Sequence, residues 1–161
     1  MIDFSPVLRY NKRKRKKDFI MTHASRNTST GLDFEKKIRI NKQGIDLSQT
    51  KLYKFLKEKG IDWTKIISRQ IRPDEAYFDP TTKTFSVYEK KFQRTEGSVD
   101  EKPQTCAFKI FEFRKIGEAI GAEKVSYTYV FNEWFKNPKY KDMLEYIKSV
   151  EGCDYFFVEG E

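Results

Sequence analysis

Residues 71–93, IRPDEAYFDPTTKTFSVYEKKFQ, predict two β-strands joined by a turn. The segment DPTTKT at residues 79–84 is typical of a turn between antiparallel strands. Asp74 begins the first of these strands, while Glu89 and Lys91 end the second. Because the turn folds the first strand back beside the second, we expect Asp74 to reach Glu89.

The charged end of this hairpin is difficult to explain as ordinary packing. Side chains alternate along a strand, so Glu89 and Lys91 face one side and Lys90 faces the other. Phe85 and Val87 share the face of Glu89, which indicates that this face is buried further along. Burying unpaired charges is costly. A Mg²⁺ ion would neutralise the acids and accept phosphate oxygens, while a neighbouring lysine could orient or deprotonate a water.

Surface ion pairs are the structural alternative for the same residues. Such pairs contribute about 0–1 kcal/mol to stability. In a chain with 35% charged residues, acids lie near lysines by chance. The spacing alone therefore leaves both interpretations open.

The rest of the chain predicts helices interleaved with strands. The segment LDFEKKIRI predicts a helix with Leu32, Glu35 and Ile38 on one face. Further helices are expected at residues 48–60, with Ser48 as N-cap, at 103–121 and at 137–152, and further strands at 124–132 and 154–159. A strand before Asp74 is harder to find, and residues 63–71 are the candidate. This order predicts an α/β fold in which helices flank a mixed β-sheet.

Composition indicates a folded, basic protein. The 161 residues suffice for one domain, and the aromatic fraction of 16% argues against a disordered chain. A formal net charge of +8 favours nucleic acid or an acidic membrane as partner, although lysines that only maintain solubility would give the same charge.

Residues 1–30 predict a basic arm that precedes a domain at residues 31–161. Six consecutive cations of this arm are candidates for binding nucleic acid: Lys12, Arg13, Lys14, Arg15, Lys16 and Lys17. Such a block stays extended until phosphates neutralise it. A targeting signal and a solvated tail are the alternatives for the same segment.

Several classes of protein are disfavoured by the sequence. It has no apolar run near the ~20 residues that cross a bilayer and no signal peptide, so we expect a soluble cytoplasmic protein without a membrane partner. Cys106 and Cys153 are expected to be free thiols, and with the single His23 they cannot complete a four-ligand zinc site. No phosphate loop of the GxxxxGK[ST] type is present, and no small-molecule cofactor is expected.

The tripeptide RPD, followed by EKK, resembles the PD-(D/E)xK signature of restriction-endonuclease-like nucleases. Asp74, Glu89 and Lys91 occupy the positions of that signature. The resemblance covers about residues 31–132 and implies a restriction-endonuclease-like core of αβββαβ order. It also implies Mg²⁺-dependent hydrolysis of phosphodiester bonds, with Mn²⁺ able to substitute. Asp74 and Glu89 would hold the metal, and Glu35 would join them.

We therefore expect a Mg²⁺-dependent DNA endonuclease of restriction or phage type. Cutting both strands with one small site per chain favours a homodimer. Gln93, Ser98 and Lys102 are expected to contact DNA, because the segment after the second strand resembles the polar loop of such nucleases. A non-catalytic nucleic-acid-binding module is the alternative, and RNA is a further candidate substrate.

Overall fold

The computed structural model describes residues 19–21, 36, 38–40, 43–94 and 101–158. Within these residues the strands are β1 (Phe19–Met21), β2 (Ile38–Ile40), β3 (Ile45–Asp46), β4 (Glu75–Asp79), β5 (Thr84–Lys91), β6 (Lys124–Phe131) and β7 (Cys153–Phe157). The α-helices in the same part of the chain are α1 (Lys51–Glu58), α2 (Cys106–Ala119) and α3 (Lys141–Ser149). None of these helices combines the length and the apolar character needed to cross a membrane.

A five-stranded mixed sheet forms the centre of the fold. Its strand order is β3-β4-β5-β6-β7. The β3–β4 and β4–β5 pairs are antiparallel, and the β5–β6 and β6–β7 pairs are parallel. Parallel neighbours need a crossover connection, and α2 and α3 supply the two crossovers. The expected α/β architecture with a mixed sheet is confirmed.

One face of this sheet carries the main hydrophobic core. Because side chains alternate, β5 turns Phe85 and Val87 to this face, and β6 turns Tyr127, Tyr129 and Phe131 to it. All five side chains are at most 1% exposed. The three helices contribute buried residues to the same core and therefore pack against this face.

Helix α2 lies within residues 103–121, where the sequence predicts a helix. Ile110, Phe113 and Ile116 are buried, and the Phe113 ring stacks on Tyr127 with a centroid separation of 5.8 Å. A 3₁₀ turn, Lys102–Thr105, precedes the helix.

The prediction of a helix over residues 32–40 is wrong at its end, where Ile38–Ile40 form β2. Ile38 and Ile40 are buried, whereas Arg39 is exposed, and this period of two is that of a strand. β2 pairs with β1, three residues of the predicted arm. The buried isoleucines pack on the second face of the sheet in a cluster with Tyr88, Val130 and Val158.

The predicted position of the strand before β4, at residues 63–71, is also wrong. Residues 63–71 contain the 3₁₀ turn Trp63–Lys65 and no strand, and the sheet neighbour of β4 is the two-residue β3. Consequently, α1 lies between β3 and β4 in the chain, whereas the αβββαβ order has three successive strands.

Ser48 connects β3 to β4 and does not cap α1. The N-cap of α1 is Thr50, which makes no side-chain capping bond. The Ser48 hydroxyl donates to Asp46 Oδ1 at 2.5 Å and accepts the Ala76 N–H at 3.1 Å. Leu52 and Leu56 of α1 are fully buried, which is the burial expected of the inner face of a helix.

A buried ion pair anchors β2 to the second face of the sheet. Glu75 and Lys90 are 6% and 3% exposed, and Lys90 Nζ lies 2.5 Å from Glu75 Oε1. Glu75 Oε2 accepts the Ile40 N–H at 2.8 Å and the Tyr77 O–H at 2.9 Å. Both carboxylate oxygens of Glu75 are therefore satisfied without water.

We predict that Glu75→Ala lowers the free energy of unfolding by about 3–5 kcal/mol, because the substitution leaves the Lys90 charge buried without its carboxylate. The double variant Glu75→Leu with Lys90→Met should lose much less, since it removes both charges. Urea denaturation followed by circular dichroism measures both. Glu123→Gln, in an exposed ion pair with Lys83, is the control and should leave the midpoint unchanged. Equal losses in the single and double variants would contradict this assignment.

Candidate active site

The structure brings together Asp74, Glu89 and Lys91 at one end of the β4–β5 hairpin. Asp74 lies in a bend immediately before β4. The register pairs Glu75 with Tyr88, so the next position sets Asp74 opposite Glu89. The alternation of β5 turns Glu89 and Lys91 to the face that carries the main core, as the sequence predicted.

Two contacts fix the geometry of this acid–lysine cluster. The Lys90 N–H donates a hydrogen bond of 2.8 Å to Asp74 Oδ2, which holds the Asp74 carboxylate against β5. Lys91 Nζ lies 2.6 Å from Glu89 Oε1. The Lys91 and Glu89 side chains are 18% and 19% exposed, so the pair is largely withdrawn from solvent but still open to it.

The two carboxylates of the cluster, Asp74 and Glu89, repel each other, and the neighbouring lysines offset part of this repulsion. Burial, together with the negative charge of Glu89, raises the pKa of Asp74 to about 6. The Lys90 N–H and the Lys91 and Lys90 charges act in the opposite direction. Lys91 therefore offsets only part of the combined negative charge, and a divalent cation would offset more of it.

Two buried tyrosines of β6 line the inner side of the cluster. Glu89 is paired with Tyr129 in the parallel register, and both Tyr127 and Tyr129 are 1% exposed. Burial raises the pKa of both phenols, and the charge of Glu89 adds to the effect. Both tyrosines therefore keep their protons at neutral pH, so the buried side of the cluster is lined by uncharged phenols.

The donor set of the cluster fits one class of metal. Mg²⁺ retains several waters and is commonly held by one or two carboxylates together with substrate phosphates. Asp74 and Glu89 supply two such carboxylates. No group of three or more His, Cys, Asp and Glu side chains placed to hold a metal occurs among the described residues. The residues present thus suit a cation that keeps part of its water shell, and not one held by protein ligands alone.

Glu35, the expected third acid, lies outside the described residues, and so do Ser98 and the cations at residues 12–17. Lys102 is exposed at the start of the turn that precedes α2. Its position at the surface is compatible with a contact to phosphate.

Gln93 is buried at 6% exposure, which does not support direct contact between its side chain and DNA. Its backbone N–H donates to Asn132 Oδ1 at 3.2 Å, and its carbonyl accepts from Asn132 Nδ2 at 2.8 Å. The Asn132 side chain thereby continues the β5–β6 hydrogen bonding past the end of the strands.

The sequence interpretation missed the role of Glu75 and Lys90 on the second face. The alternation that separates Lys90 from Glu89 and Lys91 also separates Glu75 from Asp74. The adjacent acids Asp74 and Glu75 lie opposite the charged residues 89–91, and this arrangement indicates two charge pairs, one on each face. The free thiols of Cys106 and Cys153 were predicted correctly.

We predict that Glu89→Gln lowers the pKa of Asp74, because the substitution removes the neighbouring negative charge. The pKa of Asp74 in the folded state, about 6, lies above the ordinary 3.8, so the folded state binds this proton more tightly. The contribution of Asp74 to stability is therefore present at low pH and falls as the pH rises from about 4 to 6. Glu89→Gln should weaken that dependence.

Carboxyl-carbon NMR titration of Asp74 measures the shift, and denaturation between pH 4 and 7 measures the linked stability. Glu123→Gln, in the exposed pair with Lys83, serves as the matched control and should leave the Asp74 titration unchanged. An Asp74 pKa that is the same in Glu89→Gln as in the parent protein would show that the carboxylates do not interact.

The chain was compared with protein-family models, with curated proteins and with solved structures, and none of the three comparisons found a match. The function proposed below therefore rests on the residues, their geometry and the resemblance of their spacing to the PD-(D/E)xK signature.

Proposed function

We propose that this protein is a Mg²⁺-dependent nuclease that hydrolyses phosphodiester bonds in DNA. The observation that supports it most is the convergence of Asp74, Glu89 and Lys91 at one strand end, with burial and Glu89 raising the pKa of Asp74 to about 6. Groups with shifted pKa values and a specific charged neighbour are typical of catalytic sites. The similarity to PD-(D/E)xK nucleases belongs to the same proposal.

Each residue of the cluster has a role in this proposal. Asp74 and Glu89 hold Mg²⁺, which when bound supplies a Lewis acid for the phosphate and lowers the pKa of a bound water. The Lys90 N–H holds the Asp74 carboxylate on β5, near Glu89. Lys91 Nζ lies 2.6 Å from Glu89 Oε1, so its ammonium group orients the attacking water and offsets the negative charge that develops on the phosphate.

The size of the barrier explains why the acids and the lysine are needed together. Enzymes that hydrolyse phosphate esters lower the barrier by roughly 20 kcal/mol. A single acid–base group contributes only about two to four powers of ten in rate. Lys91 alone is therefore insufficient, and the charge held by Asp74 and Glu89 must supply a large share.

DNA is proposed as the substrate because the chain carries a formal net charge of +8 and an exposed Lys102 beside the cluster end of α2. We also propose a restriction-endonuclease-like fold and a homodimer that cuts both strands. The enzyme would be cytoplasmic and of restriction or phage type. The position of α1 between β3 and β4 is the feature that fits the αβββαβ order least well.

A nucleic-acid-binding module without catalysis is the second candidate. It is favoured by the existing ion pair between Lys91 and Glu89 and by the absence of a third metal-binding acid among the described residues. In that case the pair stabilises the hairpin end and the basic surface alone provides the function.

The decisive experiment incubates the full chain with supercoiled plasmid in Mg²⁺, in Mn²⁺ and in EDTA. We expect cleavage with either metal and none in EDTA. Lys91→Ala and Asp74→Asn should each lower the cleavage rate at least about 100-fold while DNA binding in EDTA is retained. Asp79→Asn, in the turn at the other end of β4, is the matched control and should cleave normally.

Two results would contradict the proposal. The first is binding without cleavage of plasmid, single-stranded DNA or structured RNA in both metals, which favours the non-catalytic module. The second is cleavage that persists in Lys91→Ala and Asp74→Asn, which places the chemistry elsewhere. Cleavage of RNA but not DNA would keep the site and change the substrate.

A further inference from the structure

Helix α2 carries two phenylalanines on its solvent side. Phe108 and Phe111 are 53% and 52% exposed, although Ile110 and Phe113 of the same helix are buried. Their ring centroids are 6.3 Å apart and their planes differ by 26°, so the rings lie nearly parallel. Scattered exposed apolar residues need no explanation, but two adjacent aromatic rings form a patch that is typical of an interaction site.

The charges around this patch favour an anionic partner. Lys115 Nζ lies 4.7 Å from the centroid of the Phe111 ring, and the neighbouring Arg114, also exposed, donates a hydrogen bond of 2.8 Å to the Glu151 carbonyl. Glu118 is the exposed acid of α2. A symmetric contact between two copies of this face would place these cations against their equivalents, which is unfavourable.

The patch lies at the end of the sheet that carries the acid–lysine cluster. The Tyr129 phenol lies near Thr105 and Cys106 at the start of α2, and Tyr129 is the sheet partner of Glu89. The first turn of α2 is therefore level with Glu89, and Phe108 belongs to that turn. A nucleic-acid strand bound at the cluster can continue along the exposed side of α2.

We propose that Phe108 and Phe111 form a stacking surface for unpaired bases, so that the protein holds a single-stranded nucleic-acid segment beside its cluster. This inference rests on the proposed function only in taking nucleic acid as the substrate. Every base offers a flat face to an aromatic ring, whereas a base inside a duplex is already stacked on its neighbours. Lys115, which lies beside the Phe111 ring, then pairs with a neighbouring phosphate.

The test measures binding of the full chain in EDTA, so that cleavage plays no part. The probes are a fluorescent oligothymidine of about 20 nucleotides, longer than one typical binding site, and a blunt duplex of equal length. Phe108→Ala with Phe111→Ala should weaken oligothymidine binding about tenfold or more and duplex binding less than about twofold.

Three further variants sharpen the result. Tyr146→Ala removes another exposed aromatic ring, on α3, and should leave both affinities unchanged. Phe108→Trp keeps a stacking ring and should retain binding. Lys115→Gln should lower the salt dependence of oligothymidine binding by about 0.7 in slope, the value for one phosphate contact on a single strand. Thermal unfolding checks that each variant is folded.

Several outcomes would overturn the inference. These are an unchanged affinity in the double variant and an equal loss for oligothymidine and duplex. Loss of binding to phosphatidylglycerol vesicles without loss for the oligonucleotide would assign the patch to a lipid surface. Dissociation of a dimer in sedimentation, with oligonucleotide binding intact, would assign it to a second copy of the chain.

Failure of this inference and failure of the proposed hydrolysis are distinguishable. If the parent protein binds oligothymidine through Phe108 and Phe111 but cleaves no substrate, the proposed hydrolysis is wrong and the stacking surface is supported. If the parent protein cleaves plasmid and the double variant binds oligothymidine with unchanged affinity, the proposed hydrolysis is supported and the stacking surface is wrong.

Discussion

The register of β4 against β5 determines which charged side chains meet at the end of the hairpin. Asp74 lies opposite Glu89 on the face that carries the main core, and Glu75 binds Lys90 on the other face. Because the side-chain period is two, a slip of one residue would exchange the two faces of a strand. The buried Glu75–Lys90 pair opposes such a slip, because the slip would leave each of these buried charges without its partner.

Lys90 connects the two faces through a single residue. Its backbone N–H holds Asp74, and its side chain holds Glu75. The Glu75 carboxylate in turn accepts the Ile40 N–H, so β2 is tied to the hairpin end. The position of the Asp74 carboxylate thus depends on a network whose other members never face the cluster. A rigid frame of this kind is what a site for precise chemistry requires.

Features with a clear local period could be predicted, and features set by distant contacts could not. The alternation of β5 predicted that Glu89 and Lys91 share a face, and the turn predicted that Asp74 approaches them. Ile38 was assigned to a helix because a spacing of three also fits the preceding segment, yet it pairs with β1 as a strand residue and is buried against Tyr88 and Val130 of the sheet. A two-residue strand such as β3 has no detectable period, and the burial of Gln93 depends on Asn132, 39 residues away.

The central claim is that Asp74 and Glu89 share one cation. Crystals of the protein grown with Mn²⁺ in place of Mg²⁺, measured for anomalous scattering, test it most directly. The account predicts one peak at about 2.0–2.2 Å from an oxygen of each carboxylate, and no peak in Asp74→Asn crystals. A map without a peak between the two carboxylates, or with the two carboxylates turned apart, would contradict it.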